Sequence, residues 1–226
     1  MIRRFLIPFL GALLLTPPCL PASPSERIFV DTWCELAPFV RIEGASAEYP
    51  LSREKASEIL LEEARIAISG MIYGFSFSYT PSDAARKVVD RFELKPIAEI
   101  PWGSPRLAVL DMGKEESRMS ARISYSLTDQ EAVRRSAWGS NTVAQATGRG
   151  EASVMGGPGE RLTALKEALK NAVREHLRSR IYNKPREVSG EVLLWEGPET
   201  VLHSGAYVTL VKIRLRVAEI VPYRIY

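Results

Sequence analysis

His176, His203, Cys19 and Cys34 are the chain's whole stock of imidazole and thiol. A zinc or other transition-metal centre needs three or four donors converging on one point. None of these four has another histidine or cysteine at the i±4 spacing that a helix would bring to one face. Cys34 lies in a short apolar run beside Trp33, where a small thiol is expected to pack in a core rather than attack a substrate. Glu62–Glu63 and Glu115–Glu116 are adjacent in sequence. Neighbours along a helix diverge, so these pairs read as solvated charges and not as a general acid with its base. The glycines give no nucleotide loop. Gly148-Arg-Gly150-Glu-Ala-Ser153 has serine where the dinucleotide fingerprint wants its third glycine, and no phosphate-loop Gly-Lys-Ser/Thr occurs. Gly156-Gly157-Pro158-Gly159 could offer backbone amides to an anion, but its composition is that of a helix-entry turn. The expectation is a chain with no catalytic residue, no metal and no cofactor.

Two rows of side chains are candidates for binding instead. Phe75, Phe77 and Tyr79 alternate with small residues, so all three share one face of a strand. They could stack on a sugar or a peptide, or be buried beneath the flanking helices. Lys212, Arg214 and Arg216 alternate with Val211, Ile213, Leu215 and Val217. They could meet anionic lipid or glycan, or simply keep a strand face solvated.

The elements that would hold these rows are organised around residues 144–195, which read as strand, long helix, strand. The first strand is built of small residues, Ala144-Gln-Ala-Thr-Gly148-Arg-Gly150-Glu-Ala152, and leaves room for a close neighbour. The helix is expected over residues 160–182. Leu162, Leu165, Ala168, Leu169, Ala172, Val173, Leu177 and Ile181 recur at steps of three and four, forming one apolar stripe with Leu169 and Leu177 in the core. Residues 188–195 form the exit strand.

Upstream, Ser52 can cap a helix whose buried side holds Ala56, Leu60, Ala64 and Ile68. Thr80-Pro81-Ser82-Asp83 has the chemistry of a second helix start, with Ala85, Val88, Val89 and Phe92 as its buried stripe. Strands are expected at residues 28–33, 107–110, 119–127 and 207–217, an extended stretch at 94–100, and a polar connection at 111–116. Thr128-Asp-Gln-Glu131 is a capping box opening a short helix to about Trp138. The pattern predicts an α+β fold: amphipathic helices on a mainly antiparallel sheet. Ile72-Tyr73 and Ile181-Tyr182 both stand where a helix gives way to a strand, so a duplicated helix–strand module is left open.

Arg3-Arg4, the apolar run that follows and Pro17-Pro18-Cys19-Leu20-Pro21-Ala22 read as a secretory signal peptide over residues 1–22. Residues 23–226 are then one exported module, with a sub-division near 140 left open. Cys19 offers the alternative of an acylated N-terminus, though Thr16-Pro17-Pro18 before it suits that chemistry poorly. Taking Arg3 and Arg4 from 30 Lys+Arg, against 27 Asp+Glu, leaves almost no net charge to draw nucleic acid or anionic membrane. No later run is long and apolar enough to span a bilayer.

The small-residue strand, the Ala/Leu-rich helix with Leu165, Ala168, Leu169 and Ala172, and the exit Val188-Ser-Gly190-Glu-Val192 resemble bacterial outer-membrane small-lipoprotein and flagellar-assembly-related periplasmic domains. The resemblance covers about residues 144–217 and is structural, so no catalytic residue carries over. It implies a helix packed on a small curved sheet, in a part that attaches or assembles envelope structures. The expected function is a non-enzymatic envelope module, periplasmic or at the outer-membrane periphery. It would bind protein partners and no nucleic acid, with at most weak association with a membrane surface. The alternative is an envelope enzyme or a small-ligand or glycan binder with a dispersed site. A deep pocket holding a shifted carboxylate favours the alternative, whereas an exposed apolar patch favours the module.

Overall fold

The computed structural model describes residues 26–38, 49–178 and 184–223, so the leader, Cys19 and the Ile181-Tyr182 echo lie outside the described residues. The fold is α+β, with two antiparallel sheets and three α-helices among the described residues. Strand β1 (Arg27–Glu35) is followed by helix α1 (Arg53–Ile72) and strands β2 (Phe75–Thr80), β3 (Arg91–Pro96), β4 (Leu107–Glu115) and β5 (Arg118–Ser126). Helix α2 (Asp129–Trp138), strand β6 (Ala144–Ser153), helix α3 (Glu160–Arg178) and strands β7 (Glu187–Leu194), β8 (Glu199–His203) and β9 (Ala206–Val221) complete the chain. The smaller sheet has the order β1-β5-β4. The larger runs β3-β2-β7-β9-β6, with β8 also paired to β9.

Strand β9 holds the larger sheet together. One of its edges pairs with β6 from Ala144↔Leu215 to Ser153↔Ala206. The other pairs first with β8 and then with β7, from Leu194↔Ile213 to Glu187↔Val221. Val211, Ile213 and Leu215 on one face of β9 are at most 2% exposed and lie beneath α3. Helix α1 lies against β1 and β5 of one sheet and β7 of the other, so it joins the two layers. The largest cluster of buried apolar side chains runs from Ile28 to Leu215 and draws on both sides of position 140. The units β1–α1–β2 and β6–α3–β7 set their exit strands side by side, β2 antiparallel to β7.

The small-residue strand is there for backbone contact. A Cβ added at Gly148 would stand 2.1 Å from the Ala168 carbonyl oxygen, and one at Gly150 would stand 2.2 Å from that of Ala164. Helix α3 therefore rests directly on the β6 backbone. Leu169 and Leu177 are both buried, as the stripe predicts. Leu177→Ala is expected to lower stability by about 2 kcal/mol, the low end of the range for a large-to-small core change, because the site is at the helix end and can partly collapse. Urea unfolding monitored by circular dichroism checks this, and an unchanged midpoint would place the stripe's end in solvent.

Two expectations are corrected, and one strand was missed. The residues after Thr80 do not form a helix. They close the β2–β3 hairpin, with the Asp83 and Val88 backbones exchanging hydrogen bonds of 3.0 and 2.9 Å and Lys87 at φ 56°. Val89 is 80% exposed, and Phe92 belongs to β3. Thr-Pro-Ser-Asp opens turns as readily as helices, and the direct pairing of β2 with β3 decides for the turn. Residues 111–115 are not a connection but the second half of β4. The chain reverses at Glu116, whose φ is 48°. Strand β8 went unpredicted. It enters β9 through Ser204-Gly205, both at positive φ, as a tight two-residue hairpin requires.

Candidate functional site

Phe75, Phe77 and Tyr79 are 4, 4 and 6% exposed and belong to the main core, so the aromatic row is not a stacking platform. Strand β2 is paired on both edges, with β3 and β7, and Phe75 lies against α1, where a Cβ on Gly70 would stand 2.6 Å from its ring. The basic row lies on the face of β9 away from α3, and each member has a local partner. Lys212 Nζ is 2.7 Å from Glu196 Oε2. Arg214 is 8% exposed, stacks 4.7 Å from the Trp195 ring centroid and donates to the Val143 carbonyl. Arg216 lies 4.1 Å from the Trp138 ring and donates to the Ala137 carbonyl at the end of α2. Arg214 and Arg216 thus hold α2 and the segment after it to the sheet. His176 is half-buried in the last turn of α3, and His203 is exposed at the end of β8. Among the described residues, no group of three or more His, Cys, Asp or Glu is placed to hold a metal ion.

Two buried polar networks were not foreseen. The first is closed. Glu131 accepts from Tyr125 Oη at 3.1 Å, from Arg106 Nη1 at 2.6 Å and from the Thr128 amide at 2.8 Å, and Tyr73 Oη completes the set at 2.5 Å. Burial alone would raise its pKa, but the Thr128 amide, Tyr73, the Thr128 hydroxyl and Tyr125 outweigh burial and hold it at about 2, against the ordinary 4.5. A folded-state pKa below the unfolded one contributes stability above pH 4.5 that disappears as pH falls toward 2. The contribution is on the order of 2–3 kcal/mol. Glu131→Gln is expected to flatten the acid limb of a plot of melting temperature against pH. An acid limb identical to that of the parent chain would remove Glu131 as its source.

The second network stands at the junction of the sheets and borders a cleft of about 460 Å³. Arg161, in the first turn of α3, is 5% exposed and donates from Nε to Glu63 Oε1 of α1 at 2.7 Å. Its guanidinium lies 4.2 Å from the Trp33 ring centroid, and Arg118 approaches the same ring at 4.2 Å. Trp33 Nε1 donates to the Thr200 carbonyl of β8 at 2.8 Å, joining the small sheet to the large one. Behind them Glu35, fully buried, accepts from Tyr207 Oη at 3.1 Å. Glu35 Oε1, Thr32 Oγ1 and Arg161 Nη1 are buried with no hydrogen-bond partner among the described residues.

Burial raises the pKa of Glu63, while Arg161 draws it back. Burial likewise raises Glu35. Burial also pushes the Cys34 thiol up to about 12, so it is protonated at neutral pH and inert as a nucleophile. The cleft is lined by residues 29–33 of β1, by residues 196–201, and by Glu63, Ala67, Arg161, Leu162 and Leu165 of the two helices.

The sequence did carry a faint sign of this pair. Arg161 precedes Leu165, Ala168 and Ala172 at steps of four, three and four, and Glu63 falls between Leu60 and Ala67 in the same way. A charge set into an apolar stripe must find a buried partner. That the two charges answer one another across 98 positions is visible only in three dimensions.

The chain is similar to an uncharacterized protein of Treponema pallidum (strain Nichols), with 28% identity over 211 residues that cover 90% of this chain and 85% of that protein. No solved structure gives a significant match. A protein-family model matches residues 19–223, a span that takes in every strand and helix described above, and the chain belongs to that family.

Proposed function

We propose that the chain is a non-enzymatic module of the cell envelope that binds and assembles protein partners. One observation carries this reading: the cleft lies between two strand edges left open in their own sheets. Among the described residues, β1 pairs only with β5, and β8 only with β9. Unpaired strand edges are recurrent docking places for other chains. The reading of residues 1–22 as an export signal, from Arg3-Arg4 and the apolar run after them, supports an envelope location. Among the described residues no helix is long and apolar enough to cross a membrane. The outer-membrane periphery, beside the flagellar apparatus, is the place that the sequence pattern of residues 144–217 suggests for such a module.

A second reading, an enzyme or small-ligand binder, is favoured by Glu35 and Glu63, both with pKa raised by burial close to the cleft. Against it, Glu63 is tied to Arg161 and the neighbouring thiol is inert. One experiment separates the two. A photo-crosslinker at exposed Val201, on the cleft wall, is introduced into the chain in its native envelope. The purified protein is screened in parallel by thermal shift against divalent metals, nucleotides and envelope glycans. The module reading expects a crosslinked protein partner and an N-terminus near Ser23 by mass spectrometry. A shift of several degrees with a small ligand, and no crosslinked protein, would establish the second reading instead.

A further inference from the structure

We propose that Glu35 is a proton-operated latch at the junction of the two sheets: neutral, it lets the end of β1 close on β8 and β9, and ionised, it loosens that closure. The inference goes beyond the binding-module reading and does not rest on it, because it concerns how the cleft opens and not what enters. Three ties close this end of the molecule. Trp33 Nε1 donates to the Thr200 carbonyl of β8, Tyr207 Oη of β9 donates to Glu35 Oε2, and Arg161 of α3 pairs with Glu63 of α1. Trp33 and Glu35 are two residues apart on β1, so a shift of the strand end strains both of its ties together.

The charges around the junction single out Glu35. Arg161 is buried and engaged by Glu63, to which its Nε donates at 2.7 Å. Arg118, the other cation on the Trp33 ring, is solvent-exposed, so water screens it. Burial pushes the Tyr207 hydroxyl up, with Tyr49 beside it, and holds the Cys34 thiol at about 12, so neither brings a charge. An ionised Glu35 is therefore the uncompensated charge of the junction. It is 0% exposed, and its Oε1 has no partner among the described residues. One phenol cannot replace the hydration of a carboxylate, and burial outweighs Arg161 and Tyr207 in raising its pKa. The cleft lined by Thr32, Trp33 and Arg161 is the adjoining solvent. Hydrating an ionised Glu35 from there means parting the end of β1 from β8 and β9. With the folded pKa above the ordinary 4.5, closure is complete below 4.5 and weakens as pH rises through the folded value. Burial raises Glu63 in the same direction, so a variant must separate the two.

The test is amide hydrogen exchange of the purified full-length chain at pH 5 and pH 8, read by mass spectrometry and corrected for the intrinsic pH dependence of exchange. Protection of residues 28–35 and 199–203 is expected to fall by about ten-fold for each pH unit above the folded pKa of Glu35. Helix α2, whose Glu131 titrates at about 2, is expected to keep its protection. Glu35→Gln, which fixes the neutral form, is expected to show at pH 8 the protection that the parent chain shows at pH 5. Assigned carboxyl-carbon resonances of the parent chain give a second reading that needs no variant, with Glu35 expected to titrate above 4.5. Equal protection at the two pH values, a Glu35→Gln chain that loosens at pH 8 as the parent does, or a Glu35 carboxyl titrating at its ordinary 4.5 would each overturn the proposal.

Discussion

Replacing Gly150 with valine is expected to leave a chain with no cooperative unfolding transition, and Gly150→Ala to cost about 3 kcal/mol or more. A Cβ there would meet the Ala164 carbonyl oxygen at 2.2 Å and the Ala168 amide nitrogen at 2.2 Å. At Gly148 it would meet the Ala168 oxygen at 2.1 Å and the Ala172 nitrogen at 2.6 Å. These are backbone atoms of a helix, which no rotamer change can move aside. Relief would need α3 to lift off β6 along its length, and with it the stripe from Leu165 to Leu177 that closes the core. Gly113→Ala is the control. Its nearest neighbour is a side-chain oxygen, Ser120 Oγ, at 3.3 Å, and the expected change is within about 0.5 kcal/mol. Urea titrations read by circular dichroism measure all three. A Gly150→Ala midpoint equal to that of the parent chain would mean that the helix can slide on the strand.

Arg161→Ala is expected to lower stability by about 3–5 kcal/mol near neutral pH, the usual result of deleting one partner of a buried ion pair. The loss comes from stranding Glu63, whose carboxylate is 12% exposed, more than from the missing bond. Its pH dependence identifies it. Burial already raises Glu63 and Glu35, so the folded state holds their protons more readily than the unfolded chain. Stability withheld by such groups at neutral pH is recovered as pH falls toward the carboxylate range. Removing Arg161 takes away the charge that draws Glu63 back down, so this recovery becomes larger in the variant. The penalty should therefore shrink between pH 8 and pH 5. Below about pH 4.5 Glu131 acts in the opposite direction in both proteins. Arg161→Met combined with Glu63→Leu should restore most of the loss, because apolar residues can replace a buried pair. A penalty of the same size at pH 5 and pH 8 would show that Arg161 acts through packing on Trp33 and not through its charge.

Much of the architecture was legible in the sequence because it is written in local periodicity. The stripe from Leu162 to Leu177 forecast α3, the Thr128–Glu131 capping box forecast α2, and alternation forecast β2, β5 and β9. The failures occur where periodicity carries no information. Strand β4 is largely exposed on both faces, so residues 111–115 show no alternation, and β8 is five residues of half-exposed edge. Thr80-Pro81 has a start signal shared by two structures, and the partner strand makes the choice. The candidate site was less legible than the fold. The two proposed surfaces were read from rows on single strands, and a strand with two faces must bury one of them. Phe75, Phe77 and Tyr79 went inward, while Arg214 and Arg216 hold α2 in place. The cleft draws on β1, α1, α3 and the segment before β8, and no window of sequence contains them together.

The position of β9 sets a timetable for the chain's birth. A ribosome makes Phe75 long before Val192, its partner across the β2–β7 pair. It makes both β6 and β7 before the strand that pairs with each of them. Until the last residues emerge, the larger sheet lacks its central member, and the stripe of α3 lacks Val211, Ile213 and Leu215 beneath it. Pairings this distant also form slowly, because long loops must close before any contact rewards them. A nascent chain of this design holds every strand of the smaller sheet once Ser126 is made, whereas the larger sheet waits for β9.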